Sequence, residues 1–271
     1  MDGVAPVDGI RVGVGGWTYA PWRKNFYPPG LVQRRELEYA SRRLSAIEIN
    51  GTYYRAQKPA TYANWAAQTP AGFVFSAKAP MRIVQARVLA GVRGQVQDFL
   101  GGIASLGDRL GPIVWQFDRG PRLQRDDFEA FLQLLPASID GRRMRHVLDV
   151  RDPAFVDDAY IALVRGHGFA TVFTDSAEHP SFADTTADFV YARLMRARAD
   201  VPTGYPGVEL DAWAHRARTW AAGGEPEDLP RIGAATPHGK PRDVFVYFIA
   251  AAKERNPAAA MALIERLWEP L

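Results

Sequence analysis

The 271-residue sequence contains no cysteine. This absence excludes disulfide scaffolds, thiolate metal sites, cysteine-ligated clusters and thiol nucleophiles. Lysine is also scarce, because most of the 33 basic residues are arginines. The lysines are Lys24, Lys58, Lys78, Lys240 and Lys253. Lys78 falls within an apolar segment, where an ammonium group needs either a partner or a chemical task.

Long hydrophobic runs and a strong net charge are missing as well. No apolar stretch approaches the roughly 20 residues that span a bilayer, and residues 1–6 lack the basic start and apolar stretch of a secretory signal. The formal net charge of +3 is too small to indicate nucleic-acid binding without a concentrated basic patch. We therefore expect a cytoplasmic protein with neither a membrane nor a nucleic acid as its partner.

The rest of the composition is typical of a folded protein, with 47 % hydrophobic and 23 % charged residues. Several short segments are continuous apolar blocks, which is typical of strands buried on both faces of a parallel sheet. The predicted strands are residues 10–15, 46–49, 73–78, 113–116, 146–150, 170–173, 189–194 and 244–248.

Helical patterns separate many of these strands. Apolar residues near a 3.6-residue spacing, together with capping residues and prolines, predict the helices. They are residues 60–68, 89–106, 128–135, 212–222 and 256–267, with Asp211 as the cap of the fourth. Alternation of strands and helices implies right-handed βαβ units.

Eight strands in one chain without a break in composition predict a single domain, residues 1–271, with the fold of a (β/α)8 TIM-type barrel. The alternative is an open doubly wound sheet. The glycines at residues 13–16 do not form the G-x-G-x-x-G turn of that alternative. Residues 175–188 are short and polar, so we expect the barrel to be irregular between strands six and seven. Residues 223–243 read as an insertion or contact loop before the last strand.

In such a barrel the site is built where the strands end. The strand ends carry Glu48, Asn50, Ser76, Lys78, Gln116, Asp118, Asp149, Arg151, Asp175, Arg193 and Arg196. Glu48 lies between two isoleucines, so it points to the opposite face of its strand and into the barrel. A buried carboxylate needs a cation, and Lys78 and Arg151 are the candidates. We expect Glu48, Lys78, Asp149 and Arg151 to share one pocket.

Aromatic residues follow the first two strands. They are Trp17, Tyr19, Trp22, Tyr27, Tyr53 and Tyr54. They either pack over the barrel mouth or form a stacking wall for a sugar or a flat ligand, and the sequence favours neither reading.

The histidines do not predict a metal site. No two of His146, His167, His179, His215 and His238 have the spacing of metal ligands, so we expect neither a metal nor another cofactor. The G-x-S-x-G motif of a serine hydrolase is absent too.

The strand-end motifs resemble those of the YecE-like family, also called domain of unknown function 72. The matching segments are residues 14–19 with Trp22 and 26–28, 47–50 with 53–55, Trp65 through Lys78, 115–117, 149–151, 191–193, Tyr205, Trp213 and 244–248. The resemblance covers nearly the whole chain. It implies a TIM barrel with a polar, aromatic-lined pocket, lined by Glu48, Lys78, Arg151, Asp175, Arg193 and Tyr205. It implies no particular reaction.

The sequence departs from the family pattern at several pocket positions. Where the family carries two histidines and two asparagines, this chain has Gln85, Met195-Arg196 and Ile249-Ala250. A family glutamate is Asp149 here, and a family tryptophan is Phe155. Because amides and guanidiniums do not exchange protons near neutral pH, a histidine-dependent mechanism is in doubt for this chain.

Three hypotheses for function remain. In the first, the protein is an enzyme for a small anionic or sugar-like metabolite, with Glu48, Lys78 and Asp149 as catalytic groups. Lys78 then acts as an electrostatic partner or as a nucleophile of the Schiff-base type. Substrate-binding residues are Trp17, Tyr19, Tyr53, Gln116, Arg151, Asp175, Arg193 and Tyr205. In the second, the barrel is a degenerate ligand-binding or regulatory module. The third, nucleic-acid processing, needs a His/Asp/Glu metal cluster that the sequence lacks.

Overall fold

A computed structural model describes residues 3–118, 123–235 and 239–269. Its main feature is a closed barrel of eight strands in which every strand is parallel to both neighbours and neighbours follow in chain order. The barrel strands are β1 (Ile10–Gly15), β2 (Ala46–Ile49), β3 (Val74–Lys78), β4 (Leu110–Phe117), β5 (His146–Val150), β6 (Ala170–Thr174), β7 (Phe189–Leu194) and β8 (Asp243–Phe248). A short antiparallel ribbon, Ser138–Ile139 with Arg142–Arg143, precedes β5.

Helices connect most of the strands. They are α1 (Glu36–Ala40), α2 (Gly51–Tyr54), α3 (Pro59–Ala67), α4 (Met81–Val84), α5 (Arg93–Ile103), α6 (Arg125–Leu132), α7 (Asp158–Gly166), α8 (Gly207–Ala221) and α9 (Asn256–Trp268). Short 3-10 segments are Ala20–Lys24, Gln33–Arg35, Leu89–Gly91, Ala104–Arg109 and Lys253–Arg255. None of the helices in the described ranges is both long and apolar enough to cross a membrane.

Alternation along the strands divides the core into two layers. Residues such as Val12, Ile47 and Trp115 pack between the sheet and the helices. A second cluster, which includes Val114 and Tyr247, fills the barrel interior. Because the side-chain period of a strand is two, each strand contributes to both layers, and its polar residues near the C-terminal end lie above the inner cluster.

Gly13 is required for barrel closure. A Cβ atom at this position would lie 2.0 Å from the backbone oxygen of Ala46 on the neighbouring strand. Gly13 and Ala46 are register partners in the β1–β2 pair. Only glycine therefore allows the two backbones to approach as they do.

The structure confirms the TIM-type barrel and excludes the open doubly wound sheet, because β1 pairs with β8 from Ile10↔Val244 to Val14↔Phe248. The strands lie where the apolar blocks predicted them, and the fourth is longer, from Leu110 to Phe117. The irregularity between the sixth and seventh strands is also confirmed, since residues 175–188 contain no helix.

The helix predictions were less accurate. The prediction of Asp211 as a cap was wrong: α8 begins five residues before the predicted start, and its cap Pro206 adopts an extended conformation. The Pro206 carbonyl accepts from the backbone of Glu209 and Leu210. Asp211 pairs with Arg266 instead, at 2.5 Å.

Two other connections differ from the prediction. The helix predicted over residues 89–106 is divided, with α5 flanked by 3-10 segments and a left-handed Gly107 at φ 59°. Helix α7 was not predicted, and its N-cap Asp157 accepts a hydrogen bond from the backbone of Tyr160.

The segment before β8 is anchored to the crossover between β6 and β7. The buried carboxylate of Asp184 accepts hydrogen bonds from the backbone N–H groups of Ile232 and Gly233, at 2.8 and 2.7 Å. The backbone N–H of Ala183 donates to the carbonyl of Pro230 at 2.7 Å.

Candidate functional site

The strand ends bring charged side chains together inside the barrel. The guanidinium of Arg193, near the end of β7, donates to Glu48 on β2 and to Asp149 on β5, each at 2.8 Å. Exposed fractions are 2 % for Arg193, 0 % for Glu48 and 7 % for Asp149. Glu48 therefore points inward, as the alternation predicted. Its cation is Arg193, whereas the sequence suggested Lys78 or Arg151.

Arg151 extends this arrangement toward the barrel mouth. It donates to Asp149 at 3.3 Å, to Asp118 at 3.2 Å and to the amide oxygen of Gln116 at 3.0 Å. The Gln116 amide nitrogen donates to Asp118 at 2.7 Å. We refer to the residues joined by these bonds as the strand-end network. They are Glu48, Gln116, Asp118, Asp149, Arg151 and Arg193.

Burial gives the inner part of this network fixed charge states. Burial disfavours the charge of Arg193, but Glu48 and Asp149 outweigh that effect and raise its pKa. The hydroxyl of Tyr191 donates to Glu48 at 2.7 Å. Burial, followed by the charge of Glu48, raises the pKa of Tyr191 well above its usual value. Arg193 therefore stays cationic and Tyr191 stays a neutral donor across the physiological range.

Lys78 lies beside the network but is not bonded to it. Its Nζ stands 4.1 Å from the centre of the Tyr53 ring, and the residue is 9 % exposed. No carboxylate oxygen in the described ranges lies within ion-pair distance of Nζ. Burial, reinforced by the neighbouring charge of Arg193, lowers the pKa of Lys78 to about 8. The uncharged fraction of this amine near neutral pH is therefore far larger than that of an ordinary lysine.

Tyr53 links Lys78 to the network. Its hydroxyl donates to Asp118 at 2.8 Å and accepts from the side-chain amide of Gln85 at 3.2 Å. Burial and the bond to Asp118 raise the pKa of Tyr53 to about 12. The amide of Gln85 thus helps to hold the tyrosine in place.

A cavity of about 590 Å³ opens at the outer end of the network. It is lined by Asp118, Arg151, Ala177, Glu178 and His179. Burial, followed by the charge of Arg151, lowers the pKa of His179, so this imidazole is neutral at pH 7. Among the described residues, no group forms a hydrogen bond with its buried Nδ1.

Sequence reasoning did not assign His179 to the site. The available signal was its position: it follows the sixth strand, in the loop that a barrel places at its functional end. Its contribution depends on the course of the irregular segment 175–188, which the residue pattern does not determine.

Asp175 and Tyr205 form a separate pair at the end of β7. The Tyr205 hydroxyl donates to Asp175 at 2.8 Å and accepts from the backbone N–H of Arg196 at 2.7 Å. The other oxygen of Asp175 accepts from the backbone N–H of Met195 at 2.6 Å. Their polar atoms therefore hold the chain that follows Arg193, and this contact positions the end of β7.

The two aromatic residues predicted to bind substrate in the first loop contact other rings. Trp17 packs edge-to-face on Trp65 with a centroid distance of 4.9 Å. Tyr19 packs on Trp22 with a centroid distance of 5.6 Å, and Nζ of Lys253 lies 4.6 Å from the centre of the Tyr19 ring. Most of this aromatic cluster thus packs over the barrel, and among its members Tyr53 adjoins the strand-end network.

The histidines were not expected to form a metal site, and His146 has a structural role. His146 accepts from the Trp115 indole at 3.1 Å, and burial lowers its pKa to about 4. His238 lies outside the described residues. Within the ranges that the structure covers, no cluster of His, Asp or Glu side chains has the geometry to hold a metal ion.

Fold and geometry together define a TIM-barrel protein with a polar network at the strand C-termini. The sequence matches the family model described as protein of unknown function DUF72 over residues 11–270, and the chain belongs to that family. This confirms the resemblance seen in the strand-end motifs.

Solved structures of the same family share the fold. A DUF72 family protein from Thermotoga maritima MSB8 superposes with a TM-score of 0.72 at 17 % identity, covering 96 % of this chain and 99 % of that protein. For one from Enterococcus faecalis V583 the TM-score is 0.65 at 17 % identity, with 94 % and 96 % covered.

A more distant likeness is to SacUVDE, with a TM-score of 0.50 at 10 % identity over 94 % of this chain and 97 % of that protein. At this identity the likeness shows the fold alone. None of the curated proteins compared with the sequence matches it.

Proposed function

We propose that the protein binds a small anionic or sugar-like metabolite at the strand C-termini and transforms it with the amine of Lys78 and the neighbouring carboxylates. The cavity lined by Arg151 and His179 is the entrance of the proposed site. The cytoplasmic location expected from the sequence stays a prediction.

One observation carries this proposal: a buried amine has no ion-pair partner among the described residues, whereas each charged group of the neighbouring network has one. Arg193 and Arg151 are hydrogen-bonded to carboxylates. Lys78 contacts the Tyr53 ring instead. Burying an amine in this way costs stability, and a protein that needed only packing here would be served by an apolar residue. The cost is consistent with a chemical role for Lys78.

The network residues would have distinct roles. Glu48 and Asp149 hold Arg193 rigidly between them, so that the inner wall of the site is preorganised. Asp118 and Gln116 present oxygen and nitrogen atoms near the cavity, where they would bind hydroxyl or carboxylate groups. Neutral His179 lies beside Arg151 and would exchange a proton with bound substrate.

The test is a ligand screen followed by a search for turnover. The full chain is exposed to a panel of sugars, polyols, sugar acids and small carboxylic acids, and thermal unfolding is recorded. A ligand of the site raises the melting temperature, since binding to the native state alone stabilises it. Each compound that does so is then incubated with the protein and followed by proton NMR.

Two variants make the result specific. Lys78→Met should lose turnover and much of the thermal shift. Lys253→Met is the matched control, because Lys253 is also half-buried against aromatic rings but packs on Tyr19 and Trp22, and it should behave as the wild type. A panel without any stabilising compound would contradict the proposal. Stabilisation without conversion would instead support the ligand-binding module.

A further inference from the structure

The charge balance of the site narrows the class of substrate. The strand-end network contains three carboxylates, Glu48, Asp118 and Asp149, and two guanidiniums, Arg151 and Arg193. The network therefore carries one excess negative charge. Together with a protonated Lys78 the sum is zero, and with an uncharged Lys78 it stays at one negative charge. In neither state does the network offer a net positive charge, so it does not favour an anionic group next to the amine.

The same groups are suited to uncharged, hydroxylated molecules. Asp118 accepts from Tyr53, Gln116 and Arg151 and still faces the cavity. Carboxylate and amide groups that face a cavity bind hydroxyl groups and require no charge on the ligand. The aromatic face of Tyr53 lies under the lysine and provides an apolar surface for a small carbon skeleton.

We propose that Lys78 forms an imine with the carbonyl carbon of an uncharged hydroxyaldehyde or hydroxyketone, the open-chain form of a small sugar. This inference rests on the proposed function and specifies its substrate. Its basis is the position of Nζ, which stands over an aromatic ring and has no ion-pair partner in the described part of the chain.

The reaction requires no oxidant, metal or second substrate. The lone pair of the Lys78 nitrogen forms a bond to the carbonyl carbon while the carbonyl π electrons move to oxygen, which takes a proton. The nitrogen then loses its protons as the C–N double bond forms, and the protonated hydroxyl leaves as water. Both protons that leave the nitrogen are taken up by the oxygen, so the atoms balance with water as the only product besides the imine.

The experiment is reductive trapping with two matched probes. The full chain is incubated at about pH 8 with glycolaldehyde or with glyoxylate, in the presence of cyanoborohydride, which reduces imines to stable amines. The two probes have two carbons and an aldehyde each, and only glyoxylate carries a charge. Peptide mass mapping then gives the labelling of each lysine, and exposed Lys24 serves as the internal reference.

We expect glycolaldehyde to label Lys78 more than about tenfold over Lys24, because more of the Lys78 amine is uncharged. With glyoxylate the ratio of Lys78 to Lys24 should fall at least about fivefold, because the excess negative charge opposes the anion. In the Lys253→Met variant, Lys78 should be labelled to the same extent as in the wild type. Lys78→Arg keeps a cation but cannot form an imine, and should lose the adduct while remaining folded.

The outcomes separate this inference from the proposed function. Labelling of Lys78 no greater than that of Lys24 would overturn imine formation. Equal ratios with the two probes would overturn the preference for uncharged substrates. If sugars or polyols still stabilise the protein in the ligand screen, the proposed function survives either result. If nothing in the panel stabilises it, both fail together.

Discussion

Arg193 and Glu48 are joined across the interior of the barrel, from β7 to β2, although their strands are not neighbours. Their hydrogen bond is 2.8 Å long, and both side chains are sealed from solvent. Asp149 bonds to the same guanidinium from a third strand. One arginine thus ties together strands that the sheet hydrogen bonds do not connect directly.

Replacing Arg193 should therefore destabilise the fold. Arg193→Met leaves the carboxylates of Glu48 and Asp149 buried without this cation, and we expect the free energy of unfolding to fall by about 3–5 kcal/mol. Urea denaturation followed by circular dichroism measures this change. Arg143→Met, which removes an exposed ion pair with Asp188, is the control and should have a much smaller effect. Similar losses in the two variants would contradict the interpretation.

The lowered pKa of Lys78 predicts how stability depends on pH. Its folded-state pKa of about 8 lies below the ordinary value of 10.5, so the folded protein binds fewer protons than the unfolded chain between these values. Stability from this group therefore rises with pH across the window. From about pH 7.5 to 9.5 the wild type should gain about 2 kcal/mol relative to Lys78→Met.

Guanidinium denaturation of wild type and Lys78→Met, at several pH values, measures this difference directly. Other titrating groups are common to both proteins and cancel in the comparison. A difference that stays constant with pH would show that the amine has an ordinary pKa in the folded state.

The Asp175–Tyr205 pair should control local opening of the chain after β7. Tyr205→Phe removes the donor to Asp175 and the acceptor of the Arg196 amide. We expect faster hydrogen exchange at the amides of Met195 and Arg196, with a loss of about 1–2 kcal/mol in local stability. Tyr160→Phe removes a buried hydroxyl bonded to Thr171 at 3.0 Å. It should leave these amides unchanged, and accelerated exchange in both variants would instead indicate general destabilisation.

Backbone strain after β8 predicts a stabilising substitution. Ala250 and Ala251 both have left-handed backbones, with φ of 60° and 46°. Because a Cβ atom disfavours this conformation and glycine adopts it freely, Ala250→Gly should raise the free energy of unfolding by about 1 kcal/mol. Ala222→Gly, at a right-handed position with φ of −72°, should lower it instead. Thermal unfolding of the two variants gives the sign of each effect. A lower melting temperature for Ala250→Gly would show that the backbone at this position is not strained.

The strands could be predicted from the sequence because each is an apolar block bounded by polar or turn residues. Helix starts could be predicted less well. Asp211 is a good capping residue by type, but Pro206 and Gly207 already start α8 five residues earlier. For α7 the signals were present: Asp157 precedes a segment in which Tyr160, Ile161 and Val164 lie on one buried face.

Within the site, the direction of Glu48 could be predicted from alternation, but its partner could not. Which cation reaches Glu48 depends on the tilt of the strands and on barrel closure, which bring β7 opposite β2 and place Lys78 over Tyr53. His179 illustrates the same limit, because a loop without helical or strand periodicity gives no information on where its side chains point.

The anchoring of the segment before β8 has a consequence for protein engineering. Asp184 depends on the backbone of Ile232 and Gly233 for its hydrogen bonds. Shortening that stretch, inserting a tag there or opening the chain for circular permutation would leave this buried carboxylate without its two backbone donors. The altered protein should fold only when Asp184 is also replaced by a side chain that requires no donors. The soluble yield of the protein with and without this replacement measures the dependence.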